Sequence, residues 1–206
     1  MRILVVGLGS MGRRRVRNLR ALGVDDIAGF DPREDRRGQA VDDYGITAFP
    51  TWEAARSDKT DAWIVSTPPL THLAIACEAL DRGAHVFTEA DLPDPLMADV
   101  LKRRDNTGLV AVPSCTMRHY PAPRLIGELV RDGVIGRPLL FTYQSGQFLP
   151  DWHPWERIQD FYVSRRETGA ADDVSAPVEA GLPAIGRAAP ARSAAARSAA
   201  ARSAAA

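Results

Sequence analysis

Gly7-Leu8-Gly9-Ser10-Met11-Gly12 sits between the apolar run Ile3-Leu4-Val5-Val6 and the periodic stretch Met11–Leu22. A G-x-G-x-x-G alone is a weak signal. Between a strand and a helix, at the start of a βαβ unit, it is specific. Gly7 permits the tight turn, Gly9 lets the backbone approach a pyrophosphate, and Gly12 allows close helix–strand packing. The helix start at Ser10 and Met11 offers unpaired N–H groups to phosphates. Asp31 lies 19 residues beyond Gly12, at the end of the next apolar run. A carboxylate there accepts hydrogen bonds from both ribose hydroxyls and repels a 2′-phosphate, which favours NAD. Arg33, Arg36 and Arg37 follow and are placed to attract a 2′-phosphate, so NADP stays open. Arg13, Arg14, Arg15 and Arg17 open the first helix, where cations oppose the helix dipole. They either lean over the cofactor phosphates or form a solvated face.

Strands and helices alternate outward from this loop. Strands are expected at Arg2–Val6, Ile27–Phe30, Ile46–Phe49, Ala62–Ser66, His85–Thr88 and Leu109–Val112. Helices are expected at Met11–Leu22, to the end of Gly38–Tyr44, at Trp52–Ser57, Leu73–Leu80 and near Leu96–Arg104. Six strands separated by helices predict an α/β fold, a doubly wound parallel sheet of the Rossmann type, over residues 1–118. Beyond it, Ile126–Val130 reads as a helix and Leu139–Tyr143 as a strand that begins something different.

The 206 residues balance 26 bases against 26 acids, so the whole-chain field draws neither nucleic acid nor membrane strongly. Lys59 and Lys102 are the only two lysines; the other bases are arginine. Cys77 and Cys115 are too few for a disulfide scaffold and suit a reducing compartment. No apolar run approaches the roughly 20 residues of a membrane helix. The apolar start is too short for a signal peptide, so a soluble cytoplasmic protein is expected. All 14 aromatic residues lie at or before Tyr162, and 17 of the 37 residues from 170 to 206 are alanine. Arg-Ser-Ala-Ala-Ala repeats from Arg192, a period that fits neither helix nor strand. Residues 170–206 are therefore expected to be a low-complexity tail, disordered or weakly helical.

The loop and its continuation Arg13-Arg14 resemble the start of the glucose-fructose oxidoreductase / inositol dehydrogenase (Gfo/Idh/MocA) family. The likeness continues at Ser66-Thr67-Pro68-Pro69 with His72, and through Ala79-Leu80-Asp81-Arg82-Gly83-Ala84-His85-Val86-Phe87. It returns at Met117-Arg118-His119-Tyr120-Pro121, at Gly136-Arg137-Pro138 and over Gln147–Trp155. Together these segments cover about residues 1–169. The resemblance implies a dinucleotide domain followed by an α/β substrate domain, here incomplete at 119–169. It further implies oxidation or reduction of a sugar, cyclitol or related carbonyl compound with NAD(H) or NADP(H), and a homo-oligomer. Thr67, Pro68, His72 and Glu89 join the glycine loop and Asp31 as implied cofactor contacts.

Two departures touch the chemistry. Hydride transfer from a carbinol needs a base for the hydroxyl proton and a cation or donor for the developing alkoxide. The family's cation is the Lys of a Glu-Lys-Pro motif, which here reads Glu89-Ala90-Asp91. Its base is usually a His in an Asp-x-x-x-His motif after a glycine-rich turn such as Glu167-Thr168-Gly169; no His follows His153. His119 and His153 are weaker candidates for a base, and His85 reads as structural. Trp152 and Trp155 either line a sugar or nicotinamide pocket or simply pack. No catalytic residue is assigned, and no cluster has metal-ligand spacing. Two classes remain: an impaired oxidoreductase, or a noncatalytic dinucleotide-binding module or truncated product.

Overall fold

The computed structural model describes residues 1–90 and 95–142, together with Asp151 and Arg157. The expected tail, Trp152, His153, Trp155 and Asp91 lie outside the described residues, as does 119–169 beyond residue 142 apart from Asp151 and Arg157.

Strands β1 (Ile3–Val6), β2 (Ile27–Phe30), β3 (Thr47–Ala48), β4 (Ala62–Val65), β5 (His85–Thr88) and β6 (Ala111–Pro113) form one sheet in the order β3-β2-β1-β4-β5-β6. Every pairing is parallel. Helices α1 (Ser10–Ala21), α2 (Glu34–Tyr44), α3 (Trp52–Ser57), α4 (His72–Asp81) and α5 (Leu96–Thr107) supply the crossovers, and α6 (Pro121–Arg131) follows. This is the expected doubly wound sheet. Its order reverses between β1 and β4, which opens a crevice at the carboxyl ends of those strands.

The strand period of two divides the core between the sheet's faces. Ile3 and Val5 pack with Val16 and Leu19 of α1 and Ala40 of α2. Leu4, Val6, Trp63 and Val65 pack with Leu73, Ala76 and Leu80 of α4 and Val100 of α5. All four residues of β1 are buried, which explains why it reads as an unbroken apolar run. Trp63 is 1% exposed, meets Trp52 edge-on at 5.5 Å between centroids, and donates its indole N–H to Thr60 Oγ1 at 2.7 Å.

Several boundaries move. Arg2 stays outside β1, its guanidinium on Asp26 and on Asp58 at 2.6 Å. Helix α2 begins four residues before the apolar periodicity, with Glu34 and Asp35 in its first turn, where acids suit the helix dipole. Helix α6 starts at Pro121 rather than near Ile126, because proline at the first helical position gives up only a donor that has no partner there. The expected strand at Leu139–Tyr143 is corrected over its described part. Residues 139–142 form no strand and no described strand lies beside them to pair. Leu139 and Leu140 are 84% and 86% exposed.

Candidate dinucleotide site

The carboxyl ends of four strands converge on the glycine loop. The parallel ladder runs one residue past each strand: Gly7 N–H donates to Phe30 O at 2.7 Å, Ser66 N–H to Val6 O at 2.7 Å, and Glu89 N–H to Val65 O at 3.0 Å. These bonds fix Gly7, Ser66 and Glu89 along one edge of the sheet, where Asp31 follows Phe30 of β2.

Each loop glycine has a different reason to lack a side chain. Gly7 has φ +90°, and a Cβ there would stand 2.6 Å from Ser66 O. A Cβ on Gly12 would stand 1.7 Å from Gly7 O, so helix α1 touches the loop backbone directly. At Gly9 the nearest atom to such a Cβ is Arg36 Nη1, 3.6 Å away, so only the end of a flexible side chain lies over the backbone. Helix α1 carries neither a side-chain cap nor an acidic first-turn residue. Its first N–H groups therefore have no intrahelical acceptors and no competing carboxylate. Ser10 and Met11 are exposed at the mouth. This is a cradle that a pyrophosphate fits.

Asp31 is built deeply into the loop. It is 2% exposed. Oδ2 accepts from Leu8 N–H at 2.8 Å and Oδ1 from Arg33 N–H at 2.9 Å. Arg36 Nη1 lies 3.6 Å from Oδ2. The carboxylate thus ties the glycine loop to the end of β2 before any ligand arrives. The neighbouring arginines divide their roles. Arg37 donates to Asp31 O at 2.8 Å, and Arg33 pairs with Asp35 at 2.6 Å. That hydrogen bond from Arg33 holds the Asp35 carboxyl below its ordinary range. Asp31→Asn keeps the shape but cannot accept both backbone N–H groups, because its amide nitrogen only donates. We expect a loss of about 1–3 kcal/mol in urea unfolding, the cost of a buried donor left without a partner. An unchanged midpoint would show that the loop does not depend on this carboxylate.

The turn after β4 supplies the opposite wall. Thr71 Oγ1 donates to Thr67 Oγ1 at 2.7 Å or to Pro68 O at 3.0 Å, and Pro68 enters a 3-10 turn at Pro69–Thr71. His72 is 1% exposed, with Nε2 2.6 Å from Thr67 O. A carbonyl only accepts, so Nε2 carries the proton. The ring is buried beneath the turn and braces Thr67. His85 is structural as expected, its Nδ1 accepting from Val110 N–H at 2.9 Å. His119 is exposed on the 3-10 turn Thr116–His119.

The arginine run splits. Arg14 and Arg17 are exposed, whereas Arg15 crosses to Glu89 at 2.6 Å. Neither lysine reaches the site. Lys59 precedes β4, at the sheet edge opposite the glycine loop, and Lys102 is exposed on α5. Burial pushes the Cys77 thiol up, away from nucleophilic use. Among the described residues no three His, Cys, Asp or Glu side chains are grouped to hold a metal. No helix among them is long and apolar enough to cross a membrane.

Sequence reasoning missed two contributors. Gly29 lets Leu8 and Ile46 close over β2, since a Cβ there would stand 2.9 Å from Ile46 Cδ1 and 3.0 Å from Leu8 Cδ2. Ser114, 8% exposed, accepts from Arg15 at 3.2 Å. A glycine inside an apolar strand was the available signal for the first. The second has no local signature. Arg36, one of the arginines that the sequence places to attract a 2′-phosphate, lies over Gly9.

Residues 1–103 match the model of an oxidoreductase family with an NAD-binding Rossmann fold (GFO_IDH_MocA). The inositol 2-dehydrogenase of Rubrobacter xylanophilus is 31% identical over 143 residues, which is 66% of this chain and 41% of that protein. The WlbA dehydrogenase of Chromobacterium violaceum, solved with NADH and UDP-GlcNAcA, superposes with a TM-score of 0.61 at 19% identity over 66% of this chain and 41% of its own. KijD10, a 3-ketoreductase from Actinomadura kijaniata solved with NADP and TDP-benzene, superposes with a TM-score of 0.59 at 22% identity over 65% of this chain and 43% of its own. The chain therefore spans less than half the length of these relatives.

Proposed function

Because the chain belongs to the Gfo/Idh/MocA oxidoreductase family, whose NAD-binding Rossmann domain it carries, we propose that it binds NAD(H) as a sugar- or cyclitol-type oxidoreductase impaired in hydride transfer. The observation that carries the reading is the glycine loop. Two of its three glycines are closed to a side chain by backbone, and the third, beside helix α1, has only the end of the flexible Arg36 side chain over it.

The chain's own residues divide the work. Gly9, Ser10, Met11 and Gly12 receive the pyrophosphate through backbone N–H groups and the positive end of α1, on the turn that Gly7 makes. Asp31 faces the adenosine ribose, retaining acceptor capacity beyond its two backbone bonds. Thr67 and Pro68 shape the wall over the crevice with His72 behind them, and Glu89 stands at the nicotinamide end. When bound, the dinucleotide supplies the hydride chemistry. The chain's share would be to bind the substrate oxygen and take its proton, and here the position after Glu89 is an alanine. That absence favours a second reading, a noncatalytic dinucleotide-binding module. On either reading the paucity of cysteines fits a reducing cytoplasm.

NAD(H) is preferred to NADP(H), because a 2′-phosphate would meet the Asp31 carboxylate. Calorimetric titration with both cofactors tests this. We expect NADH to bind the more tightly. Tighter NADPH binding would move the specificity to Arg36, whose guanidinium already lies over Gly9. No binding of either at millimolar concentration would sink the reading.

A further inference from the structure

At the amino edge of the sheet, opposite the glycine loop, the ends of α3 and α4 and the approach to β4 line a cavity of about 320 Å³. Its walls lie wholly within the described residues. Arg56, Lys59 and Arg82 supply three cations, and Asp58 is the one carboxylate in the lining.

Cations at helix C-termini often serve the helix itself, because the last carbonyls lack intrahelical donors. At α4 backbone already meets those carbonyls. Arg82 N–H donates to Glu78 O at 3.1 Å, Gly83 N–H to Leu80 O at 3.0 Å and Ala84 N–H to Ala79 O at 2.9 Å. The guanidinium groups go elsewhere. Arg82 places Nε 3.1 Å and Nη2 3.0 Å from Glu78 Oε1, and Arg56 Nη1 lies 3.4 Å from the same oxygen. Two cations thus share one carboxylate, and one positive charge is left over. Lys59, which is exposed, adds a second. Asp58 offsets little of this, because Arg2 Nε holds its Oδ2 at 2.6 Å. Asp26 and Asp61 also meet Arg2, and neither lines the cavity.

An excess of two positive charges favours a doubly charged anion. A phosphate monoester carries nearly that charge at neutral pH and offers three acceptor oxygens. Guanidinium forks match it bidentately, and a lysine meets it as a point charge. A carboxylate would leave one cation unmatched. Thr60 adds a neutral donor, since its Oγ1 accepts the Trp63 indole N–H at 2.7 Å and keeps its own proton to give. The cavity is at the low end of the range for small-molecule sites, about 300–1,000 Å³, and holds more than a bare ion. Trp63, buried, closes its inner wall.

We propose that this cavity is a second ligand site, for a small phosphate monoester, with the phosphate on Lys59 and the Arg56–Arg82 pair and the organic part towards Trp63. Dinucleotides bind at the carboxyl edge of such sheets, so this site is separate from the glycine loop and independent of the dinucleotide reading.

The test titrates the full chain by calorimetry with glycerol 3-phosphate, glucose 6-phosphate, inorganic phosphate and glycerol at constant ionic strength. At least one ester should bind more tightly than inorganic phosphate, and glycerol should not bind. Lys59→Met should weaken that ester on the order of tenfold, the increment of one charge-assisted contact, with the fold intact by circular dichroism. Glu78→Gln removes the anion that competes for both arginines and should tighten binding, an effect that loss of a merely structural ion pair does not produce. Lys102→Met, at an exposed lysine on α5, should change nothing. Absence of ester binding at millimolar concentration, equal affinity for inorganic phosphate, indifference to Lys59→Met, or an equal loss in Lys102→Met would each overturn the proposal.

Discussion

Gly9→Ala will leave the melting temperature within about 2 °C of the parent, the range of a surface substitution free of clashes, while weakening NADH binding at least about tenfold. Gly12→Ala will lose both stability and binding. The contrast follows from what a new methyl group would meet. At Gly9 it meets only the end of the flexible Arg36 side chain at 3.6 Å, and it projects into the space a pyrophosphate would take. At Gly12 it meets the Gly7 carbonyl oxygen at 1.7 Å. Backbone cannot rotate away as a side chain does, so α1 must lift off the loop. Alanine gains about 1 kcal/mol of helix propensity over glycine. Overpacking against backbone costs about 1–3 kcal/mol or more, so the clash wins. Thermal melts and NADH titration of the two variants separate fold from site. Equal loss of stability in both would mean that Gly9 is a packing position and that the open cradle is misread.

The second large effect is on turnover. The chain should form no measurable NADH from a panel of sugars and cyclitols. Losing one alkoxide-stabilising group commonly costs on the order of 10²–10³ in rate, and losing a general base roughly 10²–10⁴. The factors need not multiply, since such groups act as a unit. Two of the described histidines are engaged elsewhere and the third stands in the open. His72 is buried on Thr67 O, His85 holds Val110 at the far edge of the sheet, and His119 is exposed beyond β6. Arg15, which meets the residue before Ala90, is paired with Glu89. Ala90→Lys alone should therefore restore little. The absorbance of the reduced cofactor is the readout. Clear turnover by the unmodified chain, abolished by replacing His119 or His153, would overturn this expectation and identify the base.

The sheet and its phosphate loop were legible because their causes are local. A buried parallel strand needs an apolar run, a packed helix needs a period near 3.6, and a loop against backbone needs glycine. Hence Ile3–Val6, the glycine loop and Asp31 could be placed from spacing alone. Residues 139–142 show the converse. An apolar run satisfies the composition of a strand, yet a strand exists only where another lies beside it. His72 makes the same point. Its position after a Pro-Pro turn says that it is near the crevice, but that its ring bonds Thr67 O beneath the turn depends on what α4 packs against.

The sequence by itself determined the parallel α/β sheet, the pyrophosphate loop, the carboxylate at the end of β2 and the absence of a lysine after Glu89. Only the tertiary structure decided that Asp31 is tied down by Leu8 and Arg33, that Arg36 covers Gly9, and that Arg15 joins Glu89 across 74 residues of chain. Periodicity and turn chemistry act over a few residues, so they can be read in order along the chain. Which charges meet at the carboxyl edge is set by the strand order β3-β2-β1-β4-β5-β6, which brings distant strand ends together and leaves no trace in the spacing of either partner.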